Sequence, residues 1–515
     1  MSIDNGIIKK CYHFNMDKKN VRVRFAPSPT GFLHIGSLRT VLFNYLIAKS
    51  LKGKMILRIE DTDQKREVKG AVDKLYEILD WLGIKFDEGP REVGKFGPYI
   101  QSERLDIYKK QVNKLLASGH AYRCFCTPTR LEEMRSELAK KKMPPRYDRT
   151  CRNLRKEEVS QLLAQNKNFI IRQKMPLTDE VEVKDGLRGK IKFKAQDLED
   201  HVLVKSNHVP TYHFASVVDD HLMKISHVVR GDEWLPSFPK NALLYQAFGW
   251  DLPKFIHLPL TLNKEGGKLS KRQGDVAVED YRAKGYLPEA LINFSILLGY
   301  HPEGDNEIFT LDEAVKEFNI KRMGISPAIF DIEKLDYFNG VYIREMDLDE
   351  LTKLCKPYLS RNLKKTTVNS KQTTEFIKKV VGLEQERLKK LSEIGELTEF
   401  FFVDKLDYPT MLLIWKKLNK KQVKENLKQV KEQLEKIPPK NWTNDSIEDA
   451  LISYIKAKDE KVENPASPKP SVGGFLWPMR VALTGKKASP GPFDVAEVLG
   501  KAVSLDRISK AIDKL

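Results

Sequence analysis

Near the start of the chain, Arg24-Phe25-Ala26-Pro27-Ser28-Pro29-Thr30-Gly31-Phe32-Leu33-His34-Ile35-Gly36-Ser37 gathers residue types that suit a phosphate. A strand that enters a turn stiffened by proline and glycine, then leaves as a helix near Gly36, offers free N–H groups and a positive dipole end. His34 stands just before that terminus and can donate to the same anion. Gly36 lets a nucleotide lie against the backbone. Roughly 230 residues later, Lys268-Leu269-Ser270-Lys271-Arg272 places three cations and a hydroxyl on a glycine-flanked loop. Such a loop can clamp charge that grows on a phosphate chain. Taken singly, the first segment also reads as a structural turn with a surface histidine, and the second as a solvated basic loop. A third cluster is Cys124, Cys126 and Cys151, with Tyr147 four residues before the last. Soft thiolates in this grouping suit Zn²⁺, or remain as reduced, unmetallated thiols. Cys11 and Cys355 show no partner. Gly89 to Phe96 nearly spells a P-loop, but Phe96 replaces the hydroxyl residue that would meet Mg²⁺, and no apolar strand precedes it.

The elements that position these residues follow from periodicity. VRVRFA (21–26) predicts a strand, and Leu38, Val41, Leu42, Tyr45 and Leu46 predict a buried helical stripe. KMILRIE (54–60) predicts the next strand and AVDKLYEILDWLGI (71–84) the next helix. This alternation implies a parallel sheet with helices on its faces. Residues 124–200, with three cysteines and strand-like pieces, read as an insertion. The pattern resumes at HVLVKS (201–206) and LMKISHVVRG (222–231), and FIHLPLTL (255–262) predicts a further strand. Beyond about 345 it is nearly all helical, and Val423, Leu427, Val430, Leu434 and Ile437 form one apolar stripe on a lysine-rich helix.

Composition sets the outer bounds. The 515 residues, about three to five domains' worth, are 41% hydrophobic and 31% charged, so the chain can build packed cores. No run of 18 apolar residues occurs and the first 20 residues lack a secretory pattern. Neither a membrane span nor export is expected. The net charge of +18 favours a polyanionic partner, nucleic acid before membrane. Five cysteines point to reduced thiols in a cytoplasm.

Together, the His-Ile-Gly-Ser turn and the Lys-Leu-Ser-Lys-Arg loop resemble the two signatures of class I aminoacyl-tRNA synthetases. LRIEDTD (57–63), GPYIQSERLDIY (97–108), PTYHFASVVDDHLM (210–223), VVRGDEWL (228–235), LPEALINFSILLGY (287–300) and WPMRVALTGKKASPGPFDVAEVLG (477–500) narrow the resemblance to glutamyl-tRNA synthetases. It implies a doubly wound, Rossmann-type α/β catalytic domain with an inserted α/β subdomain and an all-helical anticodon-binding region. The boundaries follow as an extension (1–20), catalytic halves (21–123 and 201–275), an acceptor-binding insertion (124–200), a stem-contact domain (276–345) and two anticodon domains (346–405 and 406–515).

The same resemblance implies site roles. Arg24 and Arg230 meet the glutamate side-chain carboxylate, Glu60 the α-ammonium, and Ala26, Ser28, Tyr212 and Ser216 line the amino-acid pocket. Asparagine is common in the family where Ser216 stands here. A guanidinium pairs with a carboxylate in bidentate fashion, and glutamine would leave it unpaired. ATP is expected at His34, Gly36, Glu233, Trp234, Leu260 and Lys271, with Mg²⁺, and catalysis from His34, Lys268 and Lys271. Arg387, on a helical stretch (382–394), is expected near the last anticodon base. In a paralogue that modifies a tRNA wobble base, a tyrosine is the fourth zinc ligand, and Tyr147 fits that spacing. The implied partners are L-glutamate and tRNA(Glu), with a monomeric enzyme. Charging of tRNA(Gln) stays open. About 170 helical residues after 345 argue against the wobble-base-modifying paralogue, and the presence of Arg24, His34, Glu60 and Lys271 argues against an inactive RNA-binding relative.

Overall fold

Short aliphatic runs build a parallel sheet around the first predicted turn. Strand β1 (Arg22–Phe25) pairs in parallel with β2 (Lys54–Leu57), Arg24 lying opposite Ile56. The helix between them, α1 (Ile35–Ser50), buries Leu38, Val41, Leu42 and Leu46 as the periodicity requires, and Tyr45 is half-buried. This computed structural model describes residues 20–29, 31–63, 68–267, 269, 276–363, 373–460 and 471–515. Lys268 and Lys271, both expected to be catalytic, and the N-terminal extension up to residue 19 lie outside the described residues.

Two helices, α2 (Ala71–Trp81) and α3 (Leu105–Ala117), lead to β3 (Ala121–Cys124). Next come α4 (Pro128–Lys140), α5 (Lys156–Ala164), β4 (Ile170–Gln173), β5 (Glu180–Asp185), β6 (Gly189–Lys194) and β7 (Val202–Val204). The chain then forms α6 (Tyr212–Leu222), β8 (His227–Gly231), α7 (Phe238–Phe248) and β9 (Lys254–Leu258). Strands β3, β4 and β7 make one antiparallel sheet. Strands β5 and β6, within the predicted insertion, form a hairpin that continues β9 and β8, giving the order β6-β5-β9-β8. Pairing is parallel from β5 through β9 to β8. Ser226 N–H donates to Arg22 O at 2.9 Å, which sets β1 beside the start of β8.

The strand expected over 255–262 is two strands. Pro259 has no N–H to continue the ladder. The chain breaks there, and Thr261–Leu262 (β10) pairs instead with Ala328–Ile329 (β11). Arg39, from α1, bonds the Pro259 carbonyl and, at 2.7 Å, Thr261 Oγ1. The stretch 222–231 likewise yields only β8. Leu222 ends α6, and Lys224 turns the chain at φ +58°.

The chain divides into two compact units, Met1–Arg282 with Pro288–Ile332, and Ala283–Leu287 with Glu333–Leu515. The second is helical. Its helix Lys420–Glu435 buries Val423, Leu427, Val430 and Leu434, and starts in a capping box in which Asn419 and Gln422 satisfy each other's backbone N–H. Gly285 adopts φ +81°, and a Cβ there would lie 2.7 Å from that of Leu391, so only glycine fits.

Candidate active site

His34 is the N-cap of α1. Its Nδ1 accepts the Gly36 N–H at 3.0 Å, so the ring proton resides on Nε2. The helix start is pinned to a distant segment. Ile35 N–H donates to Val276 O, and Val278 N–H donates to Leu33 O, both at 2.8 Å. Ala277 itself pairs with His34 in an isolated antiparallel bridge.

The strand edge then gathers the residues expected to take the amino acid. Beyond β1 and β2 the chains stay paired, with Arg58 N–H donating to Phe25 O at 3.0 Å and Glu60 N–H to Pro27 O at 2.9 Å. This lays Glu60 alongside Ala26 and Ser28; Ala26 is half-buried and Ser28 exposed. Arg24, Glu60, Ser216 and Arg230 are buried. Tyr212 lies close enough to Arg24, Glu60 and Arg230 to feel the charge of each, and Arg24 acts likewise on Glu60 and Arg230. Burial raises the Tyr212 phenol, with Glu60 adding to the shift. Burial lowers Arg230, which the charge of the nearby Tyr212 oxygen opposes. Burial also lifts the Glu60 carboxyl to about 7, against the pull of Arg58 and Arg24.

The residues that hold these side chains lie within LRIEDTD, GPYIQSERLDIY and PTYHFASVVDDHLM, where spacing alone assigns them no role. Asp220 Oδ1 takes hydrogen bonds from Arg24 and Arg58. Arg58 also reaches Glu60 Oε1 at 2.8 Å. Burial disfavours the Arg58 charge, but Asp220, Glu60 and Asp219 outweigh it and raise its pKa. Asp219 accepts from Gln101 at 2.8 Å, Arg104 at 2.7 Å and Tyr108 at 2.8 Å. A signal was present: two adjacent carboxylates in FASVVDDHLM, an otherwise apolar helix, must find cations inside the protein.

Toward the expected nucleotide site, Trp234 packs on Tyr212 with ring centroids 4.4 Å apart. The Glu233 carboxylate folds over Gly231, where a Cβ would meet it at 2.2 Å. Leu260 is half-buried, and its carbonyl accepts the Ala328 N–H at 3.0 Å. The segment 89–96 is irregular turn. Its neighbour Glu88 is committed to Arg22 at 2.8 Å and Tyr99 at 2.7 Å.

The thiol cluster assembles as the spacing suggests. The sulfurs of Cys124, Cys126 and Cys151 lie within 4.8 Å of one another, and Tyr147 Oη is 3.2 Å from Cys124 and 3.4 Å from Cys126. The neighbouring Cys151 and Tyr147 side chains pull the Cys124 thiol below its ordinary value. Arg130 Nη1 lies 3.3 Å from Cys126 Sγ. Cys355 is buried in apolar surroundings, which lift its thiol to about 12. The four described cysteines are free thiols.

In the second unit, Arg387 is one-third exposed and pairs with the fully buried Glu384 at 2.7 Å. It lies in a turn, not in the helix expected over 382–394. The helix Thr374–Glu384 closes in a turn where Glu384 O accepts both the Arg387 and the Leu388 N–H. Among the described residues, no helix is long and apolar enough to cross a membrane.

Residues 20–337 match the family model for class I tRNA synthetases (E and Q), catalytic domain, and 350–512 match an anticodon binding domain. The chain is 44% identical to a glutamate–tRNA ligase of Clostridium botulinum over 96% of its length and 98% of the relative's. It is also 44% identical to that of Clostridium novyi over 97% and 99%. A crystal structure of a glutamate tRNA ligase from Elizabethkingia meningosepticum in complex with its amino acid superposes with a TM-score of 0.85 at 36% identity, covering 96% of this chain and 99% of that one. With the catalytic-domain model matching residues 20–337, an anticodon binding domain following it, and glutamate–tRNA ligases 44% identical over nearly the whole chain, the chain belongs to the glutamyl-tRNA synthetase family of class I aminoacyl-tRNA synthetases.

Proposed function

We propose that the protein activates L-glutamate with ATP and transfers it to the 3′-terminal adenosine of tRNA(Glu). The observation that carries this reading is the quartet of buried Arg24, Glu60 and Arg230 with half-buried Tyr212, which combines two guanidiniums with one carboxylate. That set complements an amino acid bearing a second carboxylate, and it lies on the same unit as the helix terminus capped by His34.

The glutamate α-carboxylate attacks the α-phosphorus in line, and pyrophosphate leaves. The 2′-hydroxyl of the terminal ribose then attacks the glutamyl carbonyl and AMP leaves. Neither step needs a side-chain nucleophile, so catalysis is positioning and charge stabilisation. Arg24 and Arg230 take the side-chain carboxylate and Glu60 the ammonium, with Ala26, Ser28 and Ser216 bordering them. His34 Nε2–H and the Gly36 end of α1 face the phosphates. Glu233, Trp234 and Leu260 border the nucleoside, and Lys268 and Lys271 supply cations to the departing pyrophosphate. Mg²⁺ arrives on the nucleotide's phosphates and neutralises part of their charge. Arg387 reads the anticodon.

Cys124, Cys126, Cys151 and Tyr147 have the donor number and types of a structural zinc site, and three thiols drawn this close fit a thiolate-binding ion. Zinc there would cross-link the loop after β3 to the segment around Cys151. Free thiols at the described cysteines suit a reducing compartment, and we place the enzyme in the cytoplasm. Glutamate-dependent ATP–pyrophosphate exchange with and without tRNA, followed by aminoacylation of tRNA(Glu) and tRNA(Gln) transcripts, tests the reading. Charging of tRNA(Glu) is expected. RNA binding without exchange refutes it.

A further inference from the structure

Three neighbouring strands deliver three residues into one line of hydrogen bonds. Arg230 on β8 is the direct register partner of His257 on β9, and Asp185 ends β5 on the other side of β9. Arg230 Nε donates to His257 Nε2 at 3.0 Å. Across the same ring, His257 Nδ1 lies 2.7 Å from Asp185 Oδ2. The His257 and Asp185 side chains are wholly buried.

A guanidinium N–H can only donate, so His257 Nε2 must present its lone pair. The ring proton is therefore on Nδ1 and points at Asp185. Asp185 is itself fixed. Its Oδ1 accepts the Leu187 and Arg188 N–H groups at 2.9 and 3.0 Å, and its Oδ2 accepts the His257 N–H at 3.1 Å. Burial holds the imidazole below its ordinary pKa, and the Arg230 charge lowers it further against the bond from Asp185. A neutral ring is what the acceptor role requires. Arg230 is held elsewhere too, by Asn241 Oδ1 at 3.1 Å and by the Phe255 ring, 5.0 Å from its guanidinium carbon.

We propose that Asp185 and His257 are positioning residues for amino-acid specificity: the carboxylate sets the imidazole tautomer, and the imidazole aims the Arg230 guanidinium at the substrate's side-chain carboxylate. This rests on the reading of Arg230 as a carboxylate-binding residue. Its consequence is selectivity. A guanidinium locked from behind cannot swing aside when glutamine enters, so the neutral amide leaves its charge unpaired.

Asp185→Asn keeps one acceptor oxygen, which the Leu187 and Arg188 N–H groups claim, and turns its amide N–H toward the imidazole. The ring must then accept at Nδ1, and its proton moves to Nε2, where it faces the Arg230 N–H. His257→Leu removes the acceptor, whereas His257→Gln returns a carbonyl oxygen to about the place of Nε2. Steady-state aminoacylation of the full-length variants, with melting curves for folding, reads the effect. Asp185→Asn and His257→Leu should raise the glutamate KM about tenfold or more and narrow the preference for glutamate over glutamine, with the ATP KM nearly unchanged. His257→Gln should recover most of the loss. In an Arg230→Ala background, Asp185→Asn should add little. Should Arg230→Ala leave the glutamate KM unchanged, the pocket assignment itself falls. Where Arg230→Ala does raise the glutamate KM, the relay alone is overturned by any of three results in the single variants: no glutamate effect from Asp185→Asn and His257→Leu, equal damage to the ATP and glutamate KM, or no rescue by His257→Gln.

Discussion

Arg24 and Arg58 donate to the same oxygen, Oδ1 of Asp220, at 3.0 and 2.7 Å. Two guanidiniums so close in a buried site repel each other unless an anion lies between them, and Asp220 is that anion. Its pKa is correspondingly lowered; burial opposes the shift, but Arg24 and Arg58 prevail. Arg24 is thus held in place before substrate arrives, while Arg58 completes the bracket by holding Glu60.

Asp220→Asn keeps the shape and removes the charge. It leaves two buried cations short of a counter-ion, and breaking a buried pair costs about 3–5 kcal/mol. The urea midpoint should fall, and glutamate-dependent exchange should fall with it. A variant with wild-type stability and activity would show that the bracket is dispensable.

Glu60 makes glutamate binding depend on pH. Its carboxyl titrates at about 7 because burial outweighs Arg58 and Arg24. On the proposed assignment it is ionised above that value and receives the ammonium; below it, a proton must first leave. The glutamate KM should therefore rise as pH drops through about 7, approaching tenfold per unit on the acid side. The ATP KM serves as the internal control. Glu60→Gln should bind glutamate weakly at every pH in this range and lose the dependence. A flat wild-type profile would place the ammonium elsewhere.

How much of this could be read from the chain depends on the distance between partners. The His34–Gly36 cap is local, and its residues announce it. The apolar stripe of the helix Lys420–Glu435 is likewise a matter of spacing. The anchors are not local. Asp219 lies 118 positions from Gln101, and His257 lies 72 from Asp185. Nothing in a strand such as EVEVKD reveals that its last carboxylate will face a particular imidazole two turns of topology later. Such pairs emerge only once β5, β9 and β8 are in register. Pro259 teaches the converse, since a single missing N–H splits a run that hydropathy alone reads as continuous.

The thiol cluster predicts a metal content. One zinc ion per chain should be found by mass spectrometry of protein purified without added metal, and Cys151→Ser should remove it. Tyr147→Phe tests the fourth donor: it should weaken zinc retention against a chelator while leaving the three thiols in place. Because the ion would act as a cross-link, its removal should lower the melting temperature more than the glutamate KM changes. Protein that holds no zinc yet shows the same stability with and without chelator would establish the cluster as a hydrogen-bonded thiol core.

Arg387 supplies a prediction confined to the second unit. Its partner Glu384 is fully buried, and burial lifts that carboxyl to about 7 against the Arg387 charge. One Glu384 oxygen is engaged by the arginine, while the other is buried without a hydrogen-bond partner. The pair therefore restrains the base of a guanidinium whose remaining surface is open to solvent, a geometry suited to a splayed base. Arg387→Ala should cost about 1–3 kcal/mol in tRNA binding, read as a higher tRNA KM, with the glutamate and ATP constants unchanged. Glu384→Gln should weaken tRNA binding in the same direction but less, since the arginine keeps its charge and loses only its anchor. A tRNA KM that is unmoved by Arg387→Ala would remove this arginine from the anticodon-reading surface.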